Sequence, residues 1–306
     1  SQDRYQGKER RCSLSTRIDA VFRAMLALSL LAVFAESGRA DTAPDTVLRT
    51  DEREVVLGDF NDWGRPFSSV RITSKADGTE VVLDLPVPMR KLIETALVAD
   101  RLVVTGTTSF GAAWAIVDVG AMKVVAGDHC GFHPVLSPDK QWLAFERFFP
   151  RMMQDWRFYR PAVCVVPTTA TPCEPVQVFP EKDDPAVAPA GEDGPYYSIT
   201  SPPLWHPSSK KLMFFAGLYP DTDATTQDYQ RLVGVDVSGG PQEIRMMSIL
   251  FDAGAYLDGS QPAEKINFQV KSLDNMSDEA VTAVPYWQGY KWKDPSFTLR
   301  WDDVLP

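Results

Sequence analysis

Two segments of the chain combine residue types that suit recognition of another molecule. Residues 148–160 mix aromatic side chains with arginines, the types most enriched among contacts that dominate binding energy. Residues 219–229 are acidic and carry a tyrosine at each end. We expect the binding residues to be Arg151, Trp156, Arg157, Tyr159, Arg160, Tyr219, Asp221 and Asp223. In the structural alternative, the aromatic side chains pack each loop on its own strands and the arginines pair with the acids.

The short motifs of common catalytic sites are missing from the sequence. It has no Gly-x-Ser-x-Gly turn, no phosphate-binding glycine-rich loop and no His-Glu-x-x-His pair. His129, Cys130 and His133 are close enough along the chain to form a metal cluster, but a structural role at a strand edge or turn is favoured. We predict no catalytic residue, no metal ion and no cofactor.

Two aspartates occupy equivalent positions after apolar strands. Asp118 follows Ala115–Val117, and Asp236 follows Leu232–Val235. Because the two positions correspond, we predict a shared structural role, in which the carboxylates accept turn or backbone hydrogen bonds, rather than a catalytic one.

Cys164 and Cys173 flank a polar turn at equal distances from its centre. Facing cysteines on paired strands lie close enough to form a disulfide, so we predict that these two are bonded. The alternative pairs one of them with Cys130, which is otherwise interpreted as a small buried hydrophobic residue.

The elements that must position these residues are β-strands. Short runs rich in Val, Ile, Phe and Thr alternate with Gly, Pro, Asp and Ser from residue 54 onwards. This pattern is typical of a sandwich, barrel or propeller. Residues 88–99 form the best candidate for a short helix.

One stretch of the chain repeats. Residues 132–145 and 201–215 each contain a short strand, a proline-containing turn (Ser137–Lys140 or His206–Ser209), and then an apolar strand. Each is followed by another apolar strand after a variable loop, and weaker copies lie near residues 97–119 and 273–284. A single such unit cannot bury its own faces, so several must stack.

This repeat resembles the WD40-like repeat of TolB-type β-propellers. Residues 136–145 carry the match best, with Lys140 where glycine is usual, and residues 205–215 and 236–240 supply the rest. The resemblance implies an all-β fold, a β-propeller of about five or six four-stranded blades. It also implies that the two variable loops are neighbours on one propeller face. The α/β domain that precedes the propeller in TolB itself has no room between residues 41 and 95.

The N-terminal region is typical of a secretory signal peptide. Basic residues precede an apolar stretch, residues 24–35, and small residues follow at Gly38 and Ala40. We predict cleavage after Ala40, so that residues 1–40 are the signal peptide and residues 41–306 form the propeller. The expected location is the bacterial periplasm or the exterior.

The chain is acidic, with a net charge of −10 at pH 7. This charge disfavours binding to nucleic acid or to an anionic membrane. We predict a monomer, without a membrane span, that binds a protein or peptide through the loops of one face. The alternative is a propeller-fold hydrolase or lyase acting on carbohydrate or another small substrate, with carboxylates in the central channel.

Overall fold

The structure is a computed structural model that describes residues 46–57, 67–109, 111–131, 134–147, 160–189, 192–221, 224–259, 267–286 and 290–306. The described residues form an all-β protein in which every strand pairing is antiparallel. None of their helices is long and apolar enough to cross a membrane.

The strands of the described residues fall into five groups that follow one another along the chain, here called sheets 1 to 5. Sheet 1 contains β1 (Thr46–Arg49), β2 (Arg53–Leu57), β3 (Phe67–Ser74) and β4 (Glu80–Met89). Sheet 2 contains β5 (Lys91–Val98), β6 (Arg101–Thr108), β7 (Gly111–Asp118) and β8 (Lys123–Cys130). Sheet 3 contains β9 (Val135–Leu136), β10 (Trp142–Arg147), β11 (Ala162–Pro167) and β12 (Val176–Phe179).

Sheets 4 and 5 complete the order. Sheet 4 contains β13 (Tyr196–Ile199), β14 (Leu204–Trp205), β15 (Lys211–Tyr219), β16 (Tyr229–Asp236) and β17 (Arg245–Phe251), with β13 and β14 both paired to β15. Sheet 5 contains β18 (Val270–Asn275), β19 (Ala280–Pro285) and β20 (Phe297–Arg300). Two short 3-10 helices are Ala253–Tyr256 and Trp301–Asp303. A single residue pair, Cys130 with Arg147, joins sheets 2 and 3 edge to edge.

Each sheet packs face to face on the next one in the chain. Successive side chains of a strand point to opposite faces of its sheet. Where other sheets cover both faces, the central positions of the strand must therefore all be apolar. In β10, Trp142 and Ala144 pack toward sheet 4, whereas Leu143 and Phe145 pack toward sheet 2. The strands β7, β11 and β15 divide their side chains between two buried clusters in the same way. Within the part of the chain that the structure describes, no buried cluster joins sheet 1 to sheet 5.

The repeated turns have the same backbone geometry in sheets 3 and 4. Lys140 has φ of 62° and Ser209 has φ of 64°, both in the left-handed region that glycine adopts most easily. Each residue donates its backbone N–H to the carbonyl three residues earlier, at 2.8 Å. Lys140 therefore occupies a position that favours glycine, as the sequence comparison indicated.

Side chains in or next to the first turn of a sheet also connect it to the preceding or following sheet, always across the same sequence separation. Trp205 donates its indole N–H to the Val135 carbonyl at 3.0 Å, and Asn275 donates its amide to the Trp205 carbonyl at 2.8 Å. The backbone N–H of Asp139 donates to Ser209 Oγ at 2.9 Å. All three pairs are separated by 70 residues, so corresponding positions of sheets 3, 4 and 5 contact each other.

Asp118 and Asp236 have the structural role that their positions indicated. The Asp118 carboxylate accepts the Ala121 N–H at 2.7 Å, and Asp236 accepts the Ser238 N–H at 2.8 Å. Burial raises the pKa of Asp236, but hydrogen bonds from Ser238 and Arg245 outweigh it and leave that pKa below its ordinary value. Both carboxylates therefore stabilise the turn after their strand.

The helix expected over residues 88–99 is not formed, because that segment contains the end of β4 and all of β5. Alternate residues of β4 are buried from Leu85 to Met89, which is the two-residue periodicity of a strand with one face covered. The prolines of β4 are tolerated because β4 is the edge strand of sheet 1.

The β5–β6 hairpin offers a stabilising substitution. Ala99 is exposed at the tip of this turn with φ of 50°, a conformation that costs an alanine about 1–2 kcal/mol. Ala99→Gly removes that cost. Glycine has greater conformational freedom in the unfolded chain, however, and this lowers the stability by about 0.5–1 kcal/mol. We expect the free energy of unfolding to rise by about 0.5–1 kcal/mol in urea denaturation. Ala99→Val should lower it, because a β-branched side chain is strained further at positive φ; equal values for the two variants would contradict this account.

Candidate functional site

The candidate site lies where the strands of sheets 3 and 4 end, at the edge that carries the β10–β11 and β15–β16 connections. These connections are the variable loops singled out in the sequence, and each joins the two central strands of its sheet. The described residues at this edge include four that interact with one another, Arg160, Tyr196, Tyr219 and Asp221, here called the rim cluster. Arg160 precedes β11, Tyr196 begins β13, and Tyr219 ends β15.

The centre of the rim cluster is a stack of one guanidinium and two phenol rings. Tyr196 and Tyr219 are cross-strand partners in the β13–β15 register, and their ring centroids lie 5.3 Å apart with 12° between the ring planes. The Arg160 guanidinium carbon lies 5.7 Å from the Tyr196 ring centroid, within the range of a cation–π contact. Residues from two sheets are therefore held in one stack.

Hydrogen bonds fix Arg160 in this stack. Its Nε donates to the Ala188 carbonyl at 3.1 Å, and a terminal guanidinium nitrogen donates to the Glu192 carbonyl. Both acceptors belong to the connection between β12 and β13. Arg160 therefore binds the chain segment that leads into Tyr196, and the stack and the segment order each other.

Tyr219 is fixed at its hydroxyl end. It donates to Asn267 Oδ1 at 2.7 Å, and Gln227 Nε2 donates to the Tyr219 hydroxyl at 3.3 Å. The Asn267 backbone N–H in turn donates to the Tyr290 hydroxyl at 3.1 Å. The second ring of the stack is thus anchored to segments flanking sheet 5 and cannot swing away from Tyr196.

The electrostatics keep both phenols protonated. Burial raises the pKa of Tyr196 to about 12, with added effects from Tyr219 and Asp221 that outweigh Arg160. Burial also raises the pKa of Tyr219. Burial lowers the pKa of the Arg160 guanidinium below its ordinary value, although that group remains a cation at neutral pH. The cluster thus offers a cation, two neutral phenols and the exposed Asp221 carboxylate.

A second group of polar side chains holds β13 from its other face. Arg231 Nε donates to the Tyr197 hydroxyl at 3.1 Å, and its guanidinium lies 5.3 Å from the Tyr229 ring centroid. The Tyr197 and Tyr229 hydroxyls are 3.3 Å apart, and burial raises the pKa of Tyr197. Adjacent residues Tyr196 and Tyr197 are therefore fixed on opposite faces, which makes the start of β13 a rigid base for the rim cluster.

Three of the eight expected binding residues, Arg160, Tyr219 and Asp221, come together in the rim cluster. The other five, Arg151, Trp156, Arg157, Tyr159 and Asp223, lie outside the described residues. Sequence reasoning missed Tyr196. The signal available for it was the Tyr-Tyr pair that follows Pro195 at a strand start, which marks one aromatic for each face of the sheet.

The predicted Cys164–Cys173 disulfide is not formed in the structure, where Cys130, Cys164 and Cys173 are free and buried. In the β11–β12 register Cys164 lies opposite Gln177, and Cys173 belongs to the turn before β12. There its Sγ donates to the Ala170 carbonyl at 2.9 Å. Burial raises the pKa of all three thiols, that of Cys164 to about 11, so they are protonated at neutral pH.

The other chemistry considered from the sequence has no support in the described residues. Among them, no group of three or more His, Cys, Asp or Glu could hold a metal ion. No Asp or Glu of the described set is buried. His133 lies outside that set. His206 hydrogen-bonds to Ser208 within its own turn and to the Asp278 carbonyl between β18 and β19.

A cavity of about 530 Å³ lies at the opposite edge of sheet 4 from the rim cluster. It is lined by Ser238, Gly239, Glu243, Ile244 and Arg245. The cavity is open to solvent at the β16–β17 turn, and its cation already pairs with Asp236 at 2.7 Å. We therefore place the candidate site at the rim cluster rather than at this cavity.

Comparison with known proteins gives matches among solved structures. No family model matches the chain, and no curated protein matches it. Among solved structures, the chain is similar to the Dos1 propeller, with 10% identity, a TM-score of 0.35, and coverage of 82% of this chain and 52% of the other. It is also similar to the β-propeller domain of the trilobed protease from Pyrococcus furiosus, with 10% identity, a TM-score of 0.29, and coverage of 84% and 80%.

A third similar structure is dipeptidyl peptidase 4 from Porphyromonas gingivalis, with 11% identity, a TM-score of 0.40, and coverage of 81% of this chain and 37% of the other. The chain spans about half of the Dos1 propeller and 37% of the dipeptidyl peptidase 4 chain. The strand order of the chain itself defines its class, an all-β protein of successive antiparallel sheets stacked face to face.

Proposed function

We propose that this chain is an exported β-propeller with TolB-like repeats, and that it binds a protein or peptide at the rim cluster. The observation that carries the proposal is the Arg160–Tyr196–Tyr219 stack at the edge where the variable loops emerge. Tyrosine and arginine held in fixed rotamers give binding energy at low entropic cost, because little side-chain freedom is lost on contact.

The charge around the stack favours a cationic segment in the partner. Asp221 is exposed beside the rings, and Glu192 is exposed in the segment that Arg160 binds. The whole chain has a net charge of −10, so an approaching basic segment is attracted before contact. A lysine or arginine of the partner then pairs with Asp221 while its neighbouring side chains pack on Tyr196, the partly exposed ring of the stack.

The propeller and export parts of the proposal have separate support. The Lys140 and Ser209 turns, together with the 70-residue contacts between sheets, agree with a repeated blade. Export rests on the basic flank, the apolar stretch and the small residues before position 41. The number of blades, five or six, stays a prediction.

The experiment tests the location of the partner contact. Photoreactive p-benzoylphenylalanine replaces exposed Asp221 in one variant and exposed Asp278, at the opposite edge, in another. Each full-length variant is irradiated in a periplasmic extract of its own source, and adducts are identified by mass spectrometry. We expect one dominant adduct from position 221 and none of the same mass from position 278.

Two substitutions at Tyr196 test whether the aromatic stack, rather than non-specific adsorption, holds the partner. Tyr196→Phe keeps the ring, whereas Tyr196→Ala removes it, and thermal unfolding verifies that both remain folded. We expect Tyr196→Ala to weaken capture of the cross-linked partner about ten-fold or more, with Tyr196→Phe within about three-fold of wild type. Equal capture by Tyr196→Ala and wild type would overturn the proposal. It would direct attention to the alternative, a hydrolase or lyase with channel carboxylates.

A further inference from the structure

Among the described residues, sheet 5 occupies three strand positions, whereas each sheet before it occupies four. Sheets 1 to 4 each extend across four strand positions, ending in the outer strands β4, β8, β12 and β17. Sheet 5 ends at its third strand, β20, and no described residue pairs with the outer edge of β20. The position that an outer strand occupies in every other sheet is therefore open among the described residues.

The apolar residues that a fourth strand would cover are exposed on the neighbouring sheet. Met247 and Ile249 of β17 are 46% and 37% exposed, and lie on the face of sheet 4 that packs on sheet 5. Their cross-strand partners on β16, Gly234 and Leu232, are covered from that side: Leu232 by the cluster shared with sheet 5, and Gly234 by the Val304 and Leu305 side chains. On this face of sheet 4, burial therefore extends to β16 but not to the outer strand β17.

The open edge of β20 can accept a strand. The Trp301 N–H donates to the Glu279 carbonyl at 3.1 Å, toward β19. Because N–H directions alternate along a strand, the amides of Leu299 and Phe297 also face β19, and the N–H and C=O of Thr298 face the open edge. The Arg300 N–H is already bonded to the Asp303 carboxylate at 3.3 Å, so pairing ends there.

We propose that this open position, with Thr298 as its backbone contact and Met247 and Ile249 as its floor, accepts an extended segment of a partner protein as the fourth strand of sheet 5. The segment must alternate apolar and polar side chains, because one face covers the floor and the other faces solvent. A second copy of this chain fits poorly: the apolar side chains of its own β20, Phe297 and Leu299, are already buried at 8% and 5% exposure. This inference does not depend on the rim cluster.

The test uses a fluorescein-labelled peptide of about eight residues with alternating valine and threonine and a terminal lysine. Its binding to the full chain is followed by fluorescence anisotropy. A second peptide of identical composition, with the valines grouped together, is the matched probe. We expect saturable binding of the alternating peptide only, together with slower hydrogen exchange in the β20 segment when it is bound. Equal binding of the two peptides would overturn the proposal.

Substitutions at Thr298 locate the contact. Thr298→Pro removes the outward N–H, whereas Thr298→Val keeps it with a similar side-chain shape. We expect proline to weaken peptide binding about ten-fold or more relative to valine, and Met247→Lys to weaken it comparably. Peptide binding unaffected by Thr298→Pro would contradict the site.

Two other occupants give different results. Concentration-dependent dimerisation of the wild type, abolished in Thr298→Pro, would show that a second copy fills the position and would overturn the assignment to a partner segment. Failure of the wild type to bind the peptide, with thermal destabilisation by Thr298→Pro but not by Thr298→Val, would show a strand supplied by the chain itself and would likewise overturn it.

Discussion

Replacing Phe215 with alanine is expected to lower the free energy of unfolding by about 3–5 kcal/mol. Phe215 is fully buried on β15, on the face of sheet 4 that packs against sheet 5. Its ring meets Phe251 and Phe268 edge to face, with centroids 4.8 and 5.2 Å away, and Phe297 at 6.5 Å. Truncation leaves a cavity among three rings that cannot collapse into it, because each ring also packs against another aromatic residue.

The loss should be concentrated at one boundary of the fold. Three of the four rings belong to sheet 4 or the segment after it, and Phe297 begins β20. We expect amides of β18 to β20 to exchange faster in Phe215→Ala, with β6 and β7 unchanged, measured by native-state hydrogen exchange. Leu250→Ala is the control: that side chain is 69% exposed, so its effect should stay within about 0.5 kcal/mol. A loss below about 1 kcal/mol for Phe215→Ala would contradict the packing account.

The sequence predicts the repeated parts of the fold because they depend on local chemistry. The residue composition of Ser137–Lys140 and His206–Ser209 predicts the two proline-containing turns. The apolar runs that follow them form β10 and β15. Burial on both faces confines the polar residues of these strands to their ends, so the apolar pattern is visible without knowledge of the neighbouring sheets. The roles of Asp118 and Asp236 followed from the same repetition.

The candidate site was only partly predictable, because it depends on contacts between distant segments. Arg160 and Tyr219 were identified by residue type, but Tyr196 joins them only through the β13–β15 register. A register of this kind is set by the packing of the whole sheet rather than by the residues near Tyr196. The open fourth position of sheet 5 was hidden for the same reason, since it is defined by comparison with the other sheets.

Two sequence-based expectations failed on local geometry. Symmetry about the turn centre placed Cys164 opposite Cys173, but the structure pairs Cys164 with Gln177 and leaves Cys173 in the turn. Residues 88–99 were the best candidate for a short helix, because the apolar spacing across the end of one strand and the whole of the next can imitate a helical period. In both cases strand pairing determines the structure that forms, and the spacing of residues along the sequence does not reveal which strands pair.

Replacing Gln227 with leucine is expected to lower the free energy of unfolding by about 3 kcal/mol, although the two side chains have similar sizes. Gln227 is 1% exposed and its amide acts as a substitute for a paired strand. Its Oε1 accepts the Phe268 N–H at 3.1 Å, and its Nε2 donates to the Phe268 carbonyl, also at 3.1 Å. One side chain of the β15–β16 loop therefore satisfies both backbone groups of a residue next to sheet 5.

The cost arises from the groups left behind rather than from the leucine itself. Without the amide, the buried N–H and C=O of Phe268 lose this partner, as does the Gln230 amide that donates to Gln227 Oε1 at 3.0 Å. An unsatisfied buried polar group costs about 1–3 kcal/mol, whereas leucine recovers only part of that by apolar burial. Gly217 shows how closely the amide is packed, because a Cβ there would lie 2.3 Å from Gln227 Cδ.

Gln227→Leu and Thr225→Val, a change at an exposed position of the same loop, form the comparison in urea denaturation. We expect a loss of about 3 kcal/mol for the first and a change within about 0.5 kcal/mol for the second. Because Gln227 also donates to the Tyr219 hydroxyl, Gln227→Leu should loosen the rim cluster and weaken partner capture in the cross-linking assay. A Gln227→Leu variant as stable as wild type would contradict this account and would show that water or another group satisfies Phe268.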